Sequence, residues 1–455
     1  MNLFRNSQTD QRQKFSMHMN LHVLVRAFLL FTGLFICTVG FGAESGWPSR
    51  FGPRGNSNVP LDEAAGIPSS WDEDTGDNIS WKTELPEFGH STPVVLNGRI
   101  WLTSASEDGH RQYLNCIDAA TGRQIHHRLL FENEDPEPLN NPVNTYASPS
   151  CIVTEEAVYV HFGSYGTARV NPESLEVIWQ RRDIECRHFR GPGSSPVVYR
   201  NLLILTFDGI DVQFLTALDM ETGETVWSTP RSTDYGDLDE NGKPARDGDI
   251  RKAYSTPGLV DVHGRTQVIS VGSRAAFGYD ADTGEEIWTI RHDDFNAAAP
   301  PVFFQNLAIL NTGSSGANLI AVDLNPLTQG DITDSSYVVW DRHRGNSRMA
   351  SPLLYGSHVF MVTHGGVAVC VEAATGRELN KVRLGGTFIS SPIAANGLIY
   401  VGNDEGTVVV FRANASLEIV ARNKLTEGMR SSPAAADGRL FLRTKKHLYC
   451  ILSTQ

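Results

Sequence analysis

Few clusters in this chain are spaced for chemistry. Asp237-Leu-Asp239-Glu-Asn241-Gly242 opens like a calcium loop, with oxygen ligands at alternate positions before a glycine turn. The twelfth position, which should supply a bidentate Glu, is Gly248. Asp237, Asp239 and Asn241 therefore stand as calcium candidates beside the plainer reading of a solvated acidic turn. There is no His-Glu-x-x-His, no Gly-x-Ser-x-Gly and no phosphate-cradling glycine loop. The histidines are scattered, and His126-His127 reads as an exposed pair on a strand rather than a metal site. Six cysteines in 455 residues make no disulfide scaffold. Cys116, Cys370 and Cys450 fall two residues before an Asp or its equivalent, where other segments carry Ala217, Gly278, Ala321 and Val410. That position needs a small apolar side chain, a role buried Cys fills. Arg169 stands in the same register without a sequence rationale.

The elements that would position such residues come from repeats. A short motif recurs at Ser91-Thr92-Pro93, Ala147-Ser148-Pro149, Ser194-Ser195-Pro196, Ser255-Thr256-Pro257, Ala299-Pro300-Pro301, Ala350-Ser351-Pro352, Ser390-Ser391-Pro392 and Ser431-Ser432-Pro433, with prolines 40 to 61 residues apart. In register with it run the turns Asp118-Ala-Ala-Thr-Gly122, Asp219-Met-Glu-Thr-Gly223, Asp280-Ala-Asp-Thr-Gly284 and Glu372-Ala-Ala-Thr-Gly376. Trp227 and Trp288 follow a turn by four residues, and Trp179 and Trp340 hold the same place after altered turns; His126 and Asn380 replace them twice. Short β-branched and aromatic runs lie between, giving four strands per unit. Eight such units predict an all-β, eight-bladed propeller of four-stranded antiparallel blades. The eighth unit stops at its third strand, Leu448–Leu452, while Ile79-Ser-Trp81-Lys-Thr-Glu-Leu85 is a spare Trp strand at the other end. It is expected to complete the last blade and remove an open edge.

Residues 1–43 read as a signal peptide: Arg5, Arg12, Lys14 and Arg26 precede an uncharged stretch, Ala27–Ala43, that ends in small residues. Phe35 and Ile36 before Cys37 make a poor lipoprotein site, and seventeen residues is the lower limit for a membrane anchor. Residues 44–78 follow as an extended leader and 79–455 as the propeller. The net charge of −13 becomes −16 without residues 1–43, which argues against nucleic acid as a partner. A periplasmic, secreted or cell-surface monomer with no membrane span in the mature chain is expected.

The Asp-Ala-x-Thr-Gly turn, the Trp strand and the Ser-Ser-Pro opening resemble the pyrroloquinoline quinone (PQQ) repeat. Trp47-Pro…Gly52-Pro53, Ile79-Ser-Trp81-Lys-Thr and Gly191-Pro-Gly-Ser-Ser-Pro196 are similar to secreted PQQ-binding-like propellers of the quinoprotein alcohol dehydrogenase-like superfamily, abundant in planctomycete-type bacteria. The resemblance covers residues 46–455. It implies two alternatives. One is a PQQ-dependent dehydrogenase, whose family pattern is a vicinal Cys-Cys ring over the cofactor, a Trp below it and a calcium held by Glu, Asn and Asp. The other is a cofactor-free scaffold like the outer-membrane assembly lipoprotein. This chain has no Cys-Cys pair and no Cys-x-x-Cys-His, so bound PQQ is not expected and binding is favoured over catalysis.

Recognition is expected on one face. Most loops from a fourth strand to the next unit are short, such as Leu384–Ile389 and Thr426–Arg430, but three consecutive ones are long: Phe131–Tyr146, Asp183–Gly193 and Thr229–Tyr254. Long loops on a rigid scaffold are where recognition resides. They carry Tyr146, Arg187, His188, Arg190, Tyr235, Arg251 and Tyr254, and His90 and Arg430 flank the first and last openings. Of these, His90, Tyr146, Arg187, His188, Arg190, Tyr254 and Arg430 are the expected contacts for an extracytoplasmic protein or polymeric ligand.

Overall fold

The computed structural model describes residues 46–139, 143–313 and 316–453; the expected signal peptide lies outside them. Eight sheets of antiparallel blades follow one another in a ring. Blade 1 is typical: Val94–Leu96 lines the axis, followed outward by Arg99–Ala105, Arg111–Asp118 and Gln124–Glu132. The last blade takes Ala434–Ala436, Arg439–Arg443 and His447–Ile451 from the end of the chain and Ile79–Glu84 from its beginning, with Trp81 opposite Cys450 and Thr83 opposite Leu448. The expected closure is therefore present. Among the described residues no helix is long and apolar enough to cross a membrane.

Neighbouring blades are joined by a ring laid over a glycine. The indole of Trp81 lies on Gly122 of blade 1, Trp179 on Gly223, Trp227 on Gly284 and Trp340 on Gly376; a Cβ on each glycine would come within 2.7 Å of the ring. Each indole Nε1–H donates to a carbonyl of the same turn: Ala119 (3.1 Å), Met220 (2.9 Å), Ala281 (3.3 Å) and Ala373 (3.1 Å). The glycines are left-handed, with φ of 68–73°. Where His126 or Asn380 replaces the Trp, the equivalent turn residue is a left-handed Leu instead, Leu175 (φ 59°) or Leu417 (φ 51°). Glycine is thus required by the approach of the ring and not by the turn alone.

Trp288 departs from this pattern. It is buried against its own blade, over Gly278, and donates to Gln267 Oε1 (3.0 Å). The next blade offers no matching turn, because its corresponding segment carries Gly330–Asp331 back as a fifth, parallel strand on blade 4. Cys116, Cys370 and Cys450 do occupy the small-residue register, opposite His126, Asn380 and Trp81. Arg169 avoids the steric limit by reaching out to the next blade, where it pairs with Glu221.

The openings of the innermost strands are tied by a relay. The N–H of Thr92 donates to Ser150 Oγ, that of Ser150 to Ser195 Oγ and that of Ser195 to Thr256 Oγ1; a second arc runs from Ser351 to Ser391 to Ser432. This corrects the register of the second repeat. Ser150-Cys151, and not Ser148-Pro149, takes the Ser-Pro place, because Cys151 precedes the innermost strand Ile152–Val153 as Pro93 precedes Val94. Pro300, which has neither an N–H nor a hydroxyl, stands at the gap between the arcs.

The leader is a folded plug. Gly46–Trp47 pairs with Leu96–Val95 on the axial edge of blade 1, Pro48 accepts from Val153 N–H of blade 2, and Arg50 reaches Thr256 Oγ1 of blade 4 (3.3 Å). The chain then turns and runs parallel to blade 7, where Ser57 and Val59 bond to Ala394. The short helix Leu61–Ala64 ends the hairpin at the tight turns of blades 7 and 8: the Glu63 carboxylate accepts the N–H of Asp437 (2.6 Å), and Asn396 donates to the Ala64 carbonyl (2.6 Å). Trp47, Val59, Ala64, Ile67 and Trp71 merge the interfaces of blades 7, 8 and 1 into one apolar cluster.

Deleting the chain through Leu85 removes both the plug and the closing strand and opens blade 8. We expect loss of the cooperative calorimetric transition. Trp47→Ala alone should cost about 3–5 kcal/mol. Wild-type melting in the truncated chain would refute the closure role.

Candidate functional site

Antiparallel order places the tight turns between first and second and between third and fourth strands on one face of the ring, and the turns between second and third strands, with the loops between blades, on the other. The hairpin plug enters from the tight-turn face, so the opposite, long-loop face holds the open mouth.

On that face the three long loops are bonded into one wall. Glu137 of the first loop is the hub. Its carboxylate accepts from Arg187 (3.0 Å) and from the N–H of His188 (2.8 Å), and its carbonyl accepts from the Tyr146 hydroxyl (2.9 Å). Asn144 donates to the carbonyls of Gly191 and Pro192. The third loop joins through Arg190 and Asp249 (3.2 Å) and through the His188 and Tyr254 rings, 4.7 Å apart. Lys252, fully buried, pairs with the same Asp249 and lies over the Phe189 ring. The structure thus brings together Tyr146, Arg187, His188, Arg190 and Tyr254. His90 and Arg430 lie together elsewhere on the mouth, where blade 8 meets blade 1. Arg430 grips Asp404 through two nitrogens, both at 3.0 Å, and donates to the Val143 carbonyl (3.2 Å).

The calcium candidates do not share a centre. The Asp237 carboxylate is held by Arg251 (2.5 and 3.2 Å), while Asp239 Oδ1 caps its own turn through the N–H groups of Asn241 and Lys243. Among the described residues no three His, Cys, Asp or Glu side chains are placed to hold a metal ion. Nor do the residues suit PQQ. The described cysteines are buried free thiols with no vicinal pair, and the leader fills the axis below the mouth.

Beneath the wall, between blades 2 and 3, lies a cavity of about 30 Å³ lined by His161, Cys186, His188, Ser194, Thr206 and Asp208, room for about two waters. Thr206 Oγ1 and His188 Nδ1 have no hydrogen-bond partner among the described residues. His161 Nδ1 pairs with Thr167 Oγ1 (2.8 Å), and its ring stands edge-on to Phe207. Asp208 forms a buried two-point pair with Arg231 (2.5 and 2.7 Å), which also donates to Ser270 and lies over Phe277. Sequence reasoning missed Glu137, Asp208–Arg231 and His161. Asp208 and His161 end otherwise apolar strand runs, which is the one signal they carry, whereas Glu137 and Arg231 lie in loops, and the partners of Glu137 and Arg231 are 50 and 23 residues away.

Burial holds the imidazoles neutral. His161, His188 and His292 are each pushed down to about 4, and His90 to about 3, by burial first and then by Arg430 and Arg443. Burial pushes the Tyr254 hydroxyl and the Cys186 thiol up. The folded values of His161, His188 and His292 lie below the unfolded value near 6.5. The stability they carry is therefore present above pH ~6.5 and lost as pH falls toward 4, and with His90 included about four protons are taken up on unfolding near pH 5. Calorimetric melting against pH should show this loss, and His161→Gln should remove about one of the four protons. An unchanged slope in that variant would refute the assignment.

The family described as outer membrane protein assembly factor BamB (PQQ_2) matches residues 66–182, 137–256, 212–329 and 333–417. No curated protein matches the chain in sequence. Among solved structures, the chain is similar to BamB from Moraxella catarrhalis at 12% identity and TM-score 0.54, over 82% of this chain and 98% of that one. It is similar to quinohemoprotein alcohol dehydrogenase from Comamonas testosteroni at 13% and 0.65, over 90% and 80%. A europium-containing methanol dehydrogenase gives 8% and 0.67, over 90% and 98%. At these identities the likeness is one of fold alone.

Proposed function

This chain belongs to the PQQ_2 family, described as outer membrane protein assembly factor BamB, and on that premise we propose that it is a non-catalytic binding or scaffolding propeller working through its long-loop face at blades 1–4. The carrying observation is the wall centred on Glu137. Three consecutive loops from different blades are locked into one rigid surface beside the mouth, and preorganisation of this kind favours binding. The partner is an extracytoplasmic protein or polymeric ligand, in keeping with the leading apolar segment and the acidic chain. An outer-membrane assembly role is the narrower form of this reading.

The rival reading is a PQQ-dependent dehydrogenase, supported by the fold similarity and opposed by the missing vicinal cysteines and the filled axis. The two separate cleanly. Incubation with PQQ and Ca²⁺ is expected to give no bound quinone absorbance and no dye-linked alcohol oxidation; quinone-dependent turnover would overturn the binding reading. A folded His188→Ala, Arg190→Ala, Tyr254→Ala variant should lose at least about tenfold in affinity, about 1.4 kcal/mol, for whatever extracytoplasmic component the wild type retains. Unchanged retention would move the site off these loops.

A further inference from the structure

The side of the mouth where blade 8 meets blade 1 holds a buried guanidinium whose hydrogen-bond partners are all neutral. Arg443, the last residue of blade 8's second strand, is 1% exposed. Its Nη1 donates to the Ser91 carbonyl (3.2 Å), Ser91 Oγ (2.6 Å) and the Thr103 carbonyl (3.0 Å), all neutral, and its Nε has no partner. Among the described residues no carboxylate pairs with it. Arg50, at the top of the plug, meets the Thr256 hydroxyl and the Phe51 ring and, among the described residues, no carboxylate. Burial pulls both guanidiniums down, Arg443 to about 9 and Arg50 to about 10, and both stay charged at neutral pH. Beside Arg443, Arg430 and Lys445 both engage Asp404, the lysine only loosely at 3.5 Å and half exposed, and Glu427 lies next to Lys445, where it accepts from the Thr444 hydroxyl and the N–H of Lys446. Arg443 is thus a buried cation with no carboxylate partner among the described residues, in a protein of net charge −13. A cleft with low-dielectric walls focuses such a field, and a buried cation without a counter-ion calls for one.

His90 stands among these groups with Arg430, Arg443, Asp404 and Lys445 all within electrostatic reach, a neutral imidazole able to donate one N–H. Exposed apolar side chains border it: Phe88 is 42% and Val143 37% exposed. Cations next to apolar surface suit a peptide carrying acidic and apolar residues better than a sugar acid. Asp404 already shows that the cluster holds a carboxylate at two-point distance.

We propose that this side of the mouth binds an acidic segment of a partner protein, a carboxylate of which meets Lys445, Arg430 and His90 under the field of Arg443. The proposal rests on the long-loop face being the binding face, and names the chemistry of what binds there.

The probe is a fluorescein-labelled peptide, Glu-Glu-Phe-Glu-Glu, titrated into the mature protein and followed by anisotropy. Saturable binding that weakens steeply with salt is expected, with at least a tenfold loss in Lys445→Gln and in His90→Gln. Arg443→Met serves as a third variant only if its melting shows that it folds. The His90 imidazole, followed by NMR, should titrate at higher pH when the peptide is bound, since a carboxylate favours the protonated ring. Equal binding of the Gln-Gln-Phe-Gln-Gln peptide, indifference to Lys445→Gln, an unmoved His90 titration, or tighter binding of oligoglucuronate or inorganic phosphate would each overturn the proposal. If no peptide binds while the His188/Arg190/Tyr254 variant still loses its retained partner, the acidic-segment proposal falls and the binding face stands.

Discussion

An indole laid flat on a glycine holds half of this ring together. A four-stranded blade cannot bury both of its faces alone, and each face here finds cover only on the next blade. The apolar clusters accordingly lie between blades, one joining blades 1 and 2, another blades 2 and 3, and so on around the ring. Trp81 gives the arrangement its closure. It hydrogen-bonds as part of blade 8 but docks on Gly122 of blade 1, so one strand both completes a sheet and seals the last interface. The wall of loops can be rigid because the blades beneath it cannot rotate independently.

This coupling explains what could be read from the residues. A glycine forced by an overlying ring and a tryptophan forced by a glycine one blade away are both local in sequence. Their recurrence therefore gave blade number, strand order and the closing strand. The second opening was misplaced by two residues because Cys151 does the work of a proline there, and the decoy Ser148-Pro149 lies beside it. Trp288 was grouped with the other tryptophans because its spacing is regular, while the fifth strand that displaces it comes from the following blade. Arg169, Glu137 and Arg443 were opaque for one reason: the partner that gives each its role lies far along the chain or on another blade, and no periodicity reports that.

The leader was legible as a segment and not as a structure. Trp-Pro…Gly-Pro carries no strand period, and its hydrogen bonds go to blades 1, 2, 4, 6, 7 and 8. It seals the axis from one side and leaves the other face to be shaped by loops. The two faces are chemically unlike in consequence. One is a ring of tight turns stopped by a buried glutamate. The other is a mouth edged on one side by the wall around Glu137 and on another by Arg443, buried among neutral partners.

The plug also sets an order in time. The first residues of the propeller unit belong at its centre, yet the surfaces that receive them include blades 7 and 8, made from the end of the chain. Contacts between Glu63 and Asp437, or Trp71 and Asn423, span more than 350 residues, the kind of separation that slows folding. Whenever this protein is delivered N-terminus first, its leader and Trp81 must wait, apolar and unpaired, until the last blade arrives. The part that leads in synthesis is the last to find its place, and the molecule is exposed to misassembly for the whole of that interval.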